Sequence, residues 1–207
     1  MNRSNNSKFV YLISPNNIKN KNFFVELEKV LSSKKVSFFQ LRLKNKKINY
    51  QFLIGKKIKK ICKKFKVKFI INDNPFLAKK LNADGCHLGQ KDMNILEARK
   101  VLKKKIIGVT CHNSLELIKK GTKDGADYLA VGSFFTSHTK KTKYRASLKF
   151  LKKVKKLTNT PIVAIGGIKN TNYKKLLLNK SNFLAISGYI WNNKFLKPHE
   201  AIEKIII

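Results

Sequence analysis

The chain is poor in acid. Its 207 residues carry 11 Asp and Glu against 46 Lys and Arg, a formal net charge of +35. Cysteine is also scarce. Cys62, Cys86 and Cys111 are too few, and odd in number, for a disulfide framework, so a reducing compartment, the cytoplasm, is expected. No apolar run reaches the ~18 residues a membrane helix needs. The polar start MNRSNNSKF has no apolar signal core after it. No Pro- or Ser-rich linker splits the sequence. One domain over residues 1–207 is therefore expected, with a sizeable core and with residues 1–7 disordered.

Such a basic excess invites a nucleic-acid partner. A plainer reading is that the lysines coat solvent faces. Lys, Asn, Ile and Phe are all abundant, as in a compositionally biased genome. Lys56, Lys57, Lys59, Lys60, Lys63 and Lys64 fall on what would be the polar face of one helix. Nucleic acid is accordingly not the expected partner.

Few acids make each one informative. Glu26, Glu28, Glu97, Glu116, Glu200 and Glu203 sit in helical stretches, Asp84 and Asp127 in Ala-Asp steps just before strands, and Asp124 in a loop. Asp73 and Asp92 alone follow the ends of apolar runs.

Those runs recur eight times, near Phe9–Ile13, Val36–Leu41, Val67–Ile71, Gly85–Leu88, Ile106–Thr110, Tyr128–Val131, Ile162–Ile165 and Leu184–Ser187. Amphipathic stretches such as Ile48–Phe65, Ile95–Leu102, Leu115–Lys120, Leu148–Leu157 and Tyr173–Leu178 alternate with them. Strand–helix alternation with nearly all-apolar strands means parallel strands covered on both faces. Eight units predict an α/β fold, a short (β/α)8 TIM barrel in a single domain. A doubly wound open sheet is the structural alternative.

Several groups could carry chemistry at the carboxyl ends of these strands. Gln40 and Arg42 share a strand face and Lys44 follows, a set suited to phosphate oxygens. It could equally be a strand end entering a polar turn. Asn72 and Asp73 could turn the chain and cap a helix, and Asp92 could be a helix-approach residue. Together on one rim, two carboxylates suit Mg²⁺, which takes one or two carboxylates plus substrate phosphates. Residues 132–146 form the longest connection without evident structure. Ser137, His138, Thr139 and Lys140 within it could close over phosphate or simply be solvated. Gly166-Gly167 after the seventh run and Ser187-Gly188 after the eighth lie where barrels often bind phosphate through backbone N–H groups. Cys86-His87 and Cys111-His112 look like zinc ligands, but adjacent strand residues face opposite ways, so each pair offers one inward ligand. Cys62 and Trp191 read as packing residues.

The segments QLRLK, INDNPFLAKKLNADGCHLGQKD, GVTCH, DYLAVGSFFTSHTK, PIVAIGGI and AISGYI resemble, in order and spacing, the thiamine-phosphate synthase family from Tyr11 to Ile190. The resemblance implies a (β/α)8 transferase of thiamine biosynthesis. It would couple hydroxymethylpyrimidine pyrophosphate to hydroxyethylthiazole phosphate, giving thiamine phosphate and pyrophosphate. It further implies that Asp73 and Asp92 hold Mg²⁺, and that Arg42, Lys44, Asn72 and Lys140 bind the pyrophosphate. Gln40 would contact the pyrimidine. Thr110, where the family has Ser, would approach the leaving group. Ser137, Thr139, Gly167, Ile186 and Ser187 would hold the thiazole phosphate. Leu43 stands where the family often has an acid. A thiazole tautomerase of the same fold is a rival, although that branch tends to lack the paired aspartates. The substrates are small molecules, no membrane is implied, and assembly into a homo-oligomer stays open.

Overall fold

A computed structural model describes residues 9–18, 22–136 and 143–206. All eight apolar runs are strands in it. They are β1 (Val10–Ile13), β2 (Val36–Leu41), β3 (Lys68–Asn72), β4 (Gly85–Leu88), β5 (Ile106–His112), β6 (Tyr128–Gly132), β7 (Ile162–Ile165) and β8 (Phe183–Ile186). Every neighbouring pair is parallel, and β1 pairs with both β2 and β8, which closes the barrel. An open sheet would leave two edges, so that alternative is excluded.

The helices among the described residues are α1 (Asn22–Ser32), α2 (Ile48–Lys64), α3 (Pro75–Lys80), α4 (Ile95–Leu102), α5 (Leu115–Lys123), α6 (Leu148–Leu157), α7 (Lys174–Leu178), α8 (Gly188–Trp191) and α9 (Pro198–Glu203). None is long and apolar enough to cross a membrane. α2 shows why they form. Ile54, Ile58, Ile61 and Cys62 recur at helical spacing and are buried, while Lys56, Lys57, Lys60, Lys63 and Lys64 are exposed and Lys59 is half-buried. Each buried aliphatic side chain contributes about 1.5–3 kcal/mol, and the lysines leave that burial undisturbed.

Alternation along the strands sorts two cores. Leu12, Phe39, Leu41, Phe69, Ile71, Cys86 and Leu88 pack outward under the helices. Tyr11, Ile13, Tyr128, Ala130, Val163 and Ala185 fill the barrel, with Phe38 and Phe183 against them. Tyr128 reaches across the interior only because Gly108 has no side chain: a Cβ there would sit 1.9 Å from Tyr128 Cζ.

The Ala-Asp steps close the amino end of the barrel. Asp84 Oδ2 accepts from Phe69 N at 2.8 Å and Asp127 Oδ2 from Ile107 N at 2.7 Å. Asn182 Oδ1 does the same for Ile162 N at 2.8 Å. In each case a polar residue just before one strand satisfies the amide at the start of the preceding strand.

Asn and Ser caps organise the opposite rim. The side chains of Asn74, Asn94, Ser114 and Ser147 accept from Leu77 N, Glu97 N, Leu117 N and Phe150 N, opening α3, α4, α5 and α6. Asn74 and Asn94, rather than Asp73 and Asp92, are therefore the caps. β5 runs two residues past its expected end, with an irregular register between Thr110 and His112. β8 stops at Ile186, one residue early, and Ser187 precedes α8 instead.

Candidate active site

The carboxyl ends of the strands surround a cavity of about 910 Å³, ample for two small substrates. Most of the residues expected to act together do converge there. Gln40, Arg42, Lys44, Asn72, Asp73, Asp92, Thr110, Gly167, Ile186 and Ser187 all line it. Ser137, Thr139 and Lys140, like His138, lie outside the described residues.

Asp73 follows β3 in the left-handed region, at φ +64°, a conformation that Asp tolerates better than most side chains. Its carboxyl group meets that of Asp92 within hydrogen-bonding contact. Lys44 Nζ lies 3.5 Å from Asp73 Oδ2. Burial and the neighbouring Asp92 push the Asp73 carboxyl above the usual range, and Lys44 only partly offsets them. Asp92 also holds its own turn, accepting from Gly89 N at 2.7 Å.

Arg42 stands beside this pair. Its Nη1 donates to Asn16 Oδ1 at 2.8 Å, and its backbone N donates to Ser14 Oγ at 2.9 Å. Burial lowers its pKa, and the Asp73 charge works against that. Across the cavity, the glycine pair after β7 takes φ +107° and +61°. A Cβ on Gly167 would lie 2.2 Å from Thr136 O, so only glycine lets these loops approach so closely. Phe135 N donates to Gly166 O at 3.0 Å.

Beneath the cavity runs a line of polar groups. Thr110 Oγ1 and His87 Nε2 are 2.8 Å apart, His87 Nδ1 and Tyr128 Oη 2.9 Å, and Tyr128 Oη and Tyr11 Oη 2.7 Å. Removal from water pushes His87 down to about 4, with Asp92 opposing and Arg42 assisting, so the ring is neutral at pH 7. Burial pushes both tyrosine hydroxyls up.

A rim of cations and paired carboxylates facing a glycine-rich pocket is suited to phosphorylated substrates. Comparison with known proteins places the chain in a family. Residues 10–190 match the family described as Thiamine monophosphate synthase. The chain belongs to the thiamine monophosphate synthase family.

Within this family, a thiamine-phosphate synthase of Pelagibacter ubique is 70% identical over 200 residues, covering 97% of both chains. Another, from Erythrobacter litoralis, is 38% identical over 188 residues, 88% of each. Among solved structures, thiamine phosphate pyrophosphorylase from Pyrococcus furiosus superposes with a TM-score of 0.85 at 27% identity, over 97% of this chain and 94% of that one. A 3-hexulose-6-phosphate synthase at 15% identity and a TM-score of 0.67 shares the fold alone.

As a member of the thiamine monophosphate synthase family, the chain uses its Cys-His steps for packing and for the pocket. Cys86 and Cys111 are buried in the core under the helices, while His87 and His112 line the cavity. Burial pushes the Cys111 thiol up to about 12 and raises Cys86 as well. Ser14, Asn16 and Gln90 also line the cavity with no sequence signal to mark them, and His87 lines it after standing out in the sequence only as half of a Cys-His pair. Gln90 Nε2 donates to Thr110 O. His87 was recoverable from strand alternation, which points it the same way as Thr110. Ser14 and Asn16 follow a short strand and carry no distinguishing pattern. His112, also unassigned, stacks on Tyr144 with ring centres 3.9 Å apart. Leu43, between Arg42 and Lys44, is buried in the outer core.

Proposed function

We infer that the protein is a thiamine-phosphate synthase, a transferase joining hydroxymethylpyrimidine pyrophosphate to hydroxyethylthiazole phosphate with release of pyrophosphate. The contact between Asp73 and Asp92, flanked by Lys44 and Arg42, carries this reading. The pyrimidine substrate is a good electrophile only if its diphosphate can leave. As the bond between the methylene carbon and the diphosphate oxygen breaks, the electron pair goes to the diphosphate. The ring amino group supports the positive charge left on the methylene. The thiazole nitrogen then donates its lone pair to that carbon, so no enzyme nucleophile is needed. Arg42 and Lys44 face the departing negative charge, with Asn72 beside them, and fixed cations aimed at developing charge supply most of such an acceleration. Gln40 orients the pyrimidine. Gly167, Ile186 and Ser187 receive the thiazole phosphate, and Ser137, Thr139 and Lys140 complete the two phosphate sites. Holding both substrates in register contributes the entropic share.

Asp73 and Asp92 fit a magnesium ion. Two carboxylates in contact, one of them pushed up by burial and by the other, are an arrangement that a hard dication relieves. When bound, magnesium supplies Lewis-acid stabilisation of the leaving diphosphate.

A thiazole tautomerase needs acid–base groups, not paired carboxylates beside a cationic clamp. The two activities are separated by incubating purified protein with both phosphorylated substrates and Mg²⁺, with an EDTA control, and assaying thiamine phosphate by mass spectrometry. Product dependent on both substrates and abolished by EDTA is expected. Isomerised thiazole phosphate without coupling would support the rival.

A further inference from the structure

The pocket has a polar line under its floor that the coupling chemistry does not itself require. It begins at Tyr11 on β1, crosses to Tyr128 on β6 and His87 on β4, and ends at Thr110 on β5, which lines the cavity.

Donor counting leaves this line few choices. A tyrosine hydroxyl has one proton, and a neutral imidazole has one N–H and one lone pair. Tyr11 is buried, and its hydroxyl meets that of Tyr128, so the Tyr11 proton goes to Tyr128. Tyr128, also buried, has its second partner in His87 Nδ1, and its own proton goes there. The neutral His87 ring then carries its proton on Nε2 and donates it to Thr110 Oγ1. Thr110 is left with its own O–H to direct into the cavity.

We propose that His87 is a positioning residue, held as its Nε2–H tautomer by the Tyr11–Tyr128 pair, and that it turns the Thr110 hydroxyl into a donor aimed at the leaving diphosphate. The line thus presents a donor at the Thr110 end, where a diphosphate offers oxygen. With the opposite polarity Thr110 would turn a lone pair toward that anion. This inference rests on the coupling reaction proposed above.

Two measurements test it. The first reads the wild-type protein. In ¹⁵N-labelled protein, long-range ¹H–¹⁵N spectra of the imidazoles, with His87 assigned by its loss in His87→Asn, should show a pyrrole-type Nε2 and a pyridine-type Nδ1. The second is a double-mutant cycle on coupling. Tyr128→Phe and His87→Gln should each lower kcat about tenfold, with KM for the thiazole phosphate unchanged, and should lower it less than about twofold further in a Thr110→Ala background. An Nδ1–H tautomer, or losses that multiply fully with that of Thr110→Ala, would overturn the proposal. If wild-type protein formed no thiamine phosphate, the coupling reading would fail instead, and the ring-nitrogen spectrum would still decide whether the line has the stated direction.

Discussion

Asp73 and Asp92 come from the ends of different strands, yet their carboxyl groups touch, and Lys44 is the one cation recorded in an ion pair with either of them among the described residues. Evolution for stability alone would not favour this pairing. Folding brings two like charges together in a half-buried place.

The pairing has a stability consequence. A carboxyl raised in the folded state holds its proton more tightly there than in the unfolded chain. Its contribution is therefore complete below the unfolded value and is lost as pH rises through the folded value. At pH 7 the raised Asp73 carboxyl therefore costs the metal-free protein stability. Asp73→Asn should raise the Tm of metal-free protein by ~2 °C while lowering coupling by about 10²-fold or more. Thermal scans in EDTA beside a product assay check both. A variant less stable than wild type, or fully active, would contradict the prediction.

Asn16 Oδ1 accepts from the Arg42 guanidinium, while Ser14 holds the Arg42 backbone N–H. Lys cannot reproduce that fork. Arg42→Lys should lower kcat/KM for the pyrimidine substrate by about 10²-fold, and Asn16→Ala by ~3- to 10-fold, with the thiazole phosphate KM little changed. Steady-state kinetics on each substrate separately read this. Equal losses for both substrates would indicate general disruption instead.

Away from the pocket, α1 and α9 are joined through Glu26, whose Oε2 lies 2.8 Å from His199 Nδ1 and whose Oε1 lies 3.3 Å from Lys29 Nζ. Burial alone would raise the Glu26 carboxyl, but the bonds from His199 and Lys29 outweigh it, and the group sits below its ordinary value. A depressed carboxyl contributes stability above its unfolded pKa and loses it as pH falls through the folded one. Glu26→Gln should cost about 1–2 kcal/mol at pH 7, with the gap to wild type closing in acid. Urea midpoints across pH 3–7, a range set around the ordinary Glu pKa of about 4.3, measure it. A constant gap across that range would refute the ionic origin.

Gly108 is required by Tyr128, whose ring occupies the space a Cβ would need. Gly108→Ala should destabilise the barrel by roughly 1–3 kcal/mol through overpacking and should shift the His87 imidazole resonances, since Tyr128 bonds that ring. An unchanged melting curve and spectrum would show that Tyr128 can move aside freely.

The barrel was legible in the sequence because each strand is buried on both faces and each helix on one. Eight apolar runs and the Ile54-Ile58-Ile61 spacing are direct records of that burial. The carboxylate pair was legible too, since acids are so rare that two at strand ends stand out. What the sequence hid was partnership. Nothing in the sequence shows that Asn74 and Asn94 do the capping and so release Asp73 and Asp92 for the pocket. His87 was set aside with Cys86 as an unpromising metal pair, whereas its partners, Tyr128 and Thr110, lie on two other strands. Asn16 gains its meaning only when β1 and β2 lie side by side and Arg42 reaches across.

The most direct measurement is calorimetric titration of pyrophosphate into wild-type protein and into the Asp73→Asn/Asp92→Asn double variant, each with Mg²⁺ and with EDTA. Wild-type protein is expected to bind pyrophosphate at least tenfold more tightly with Mg²⁺, and the double variant to show no such gain. An equal effect of Mg²⁺ in both proteins would mean that the two aspartates do not grip a metal-bound diphosphate.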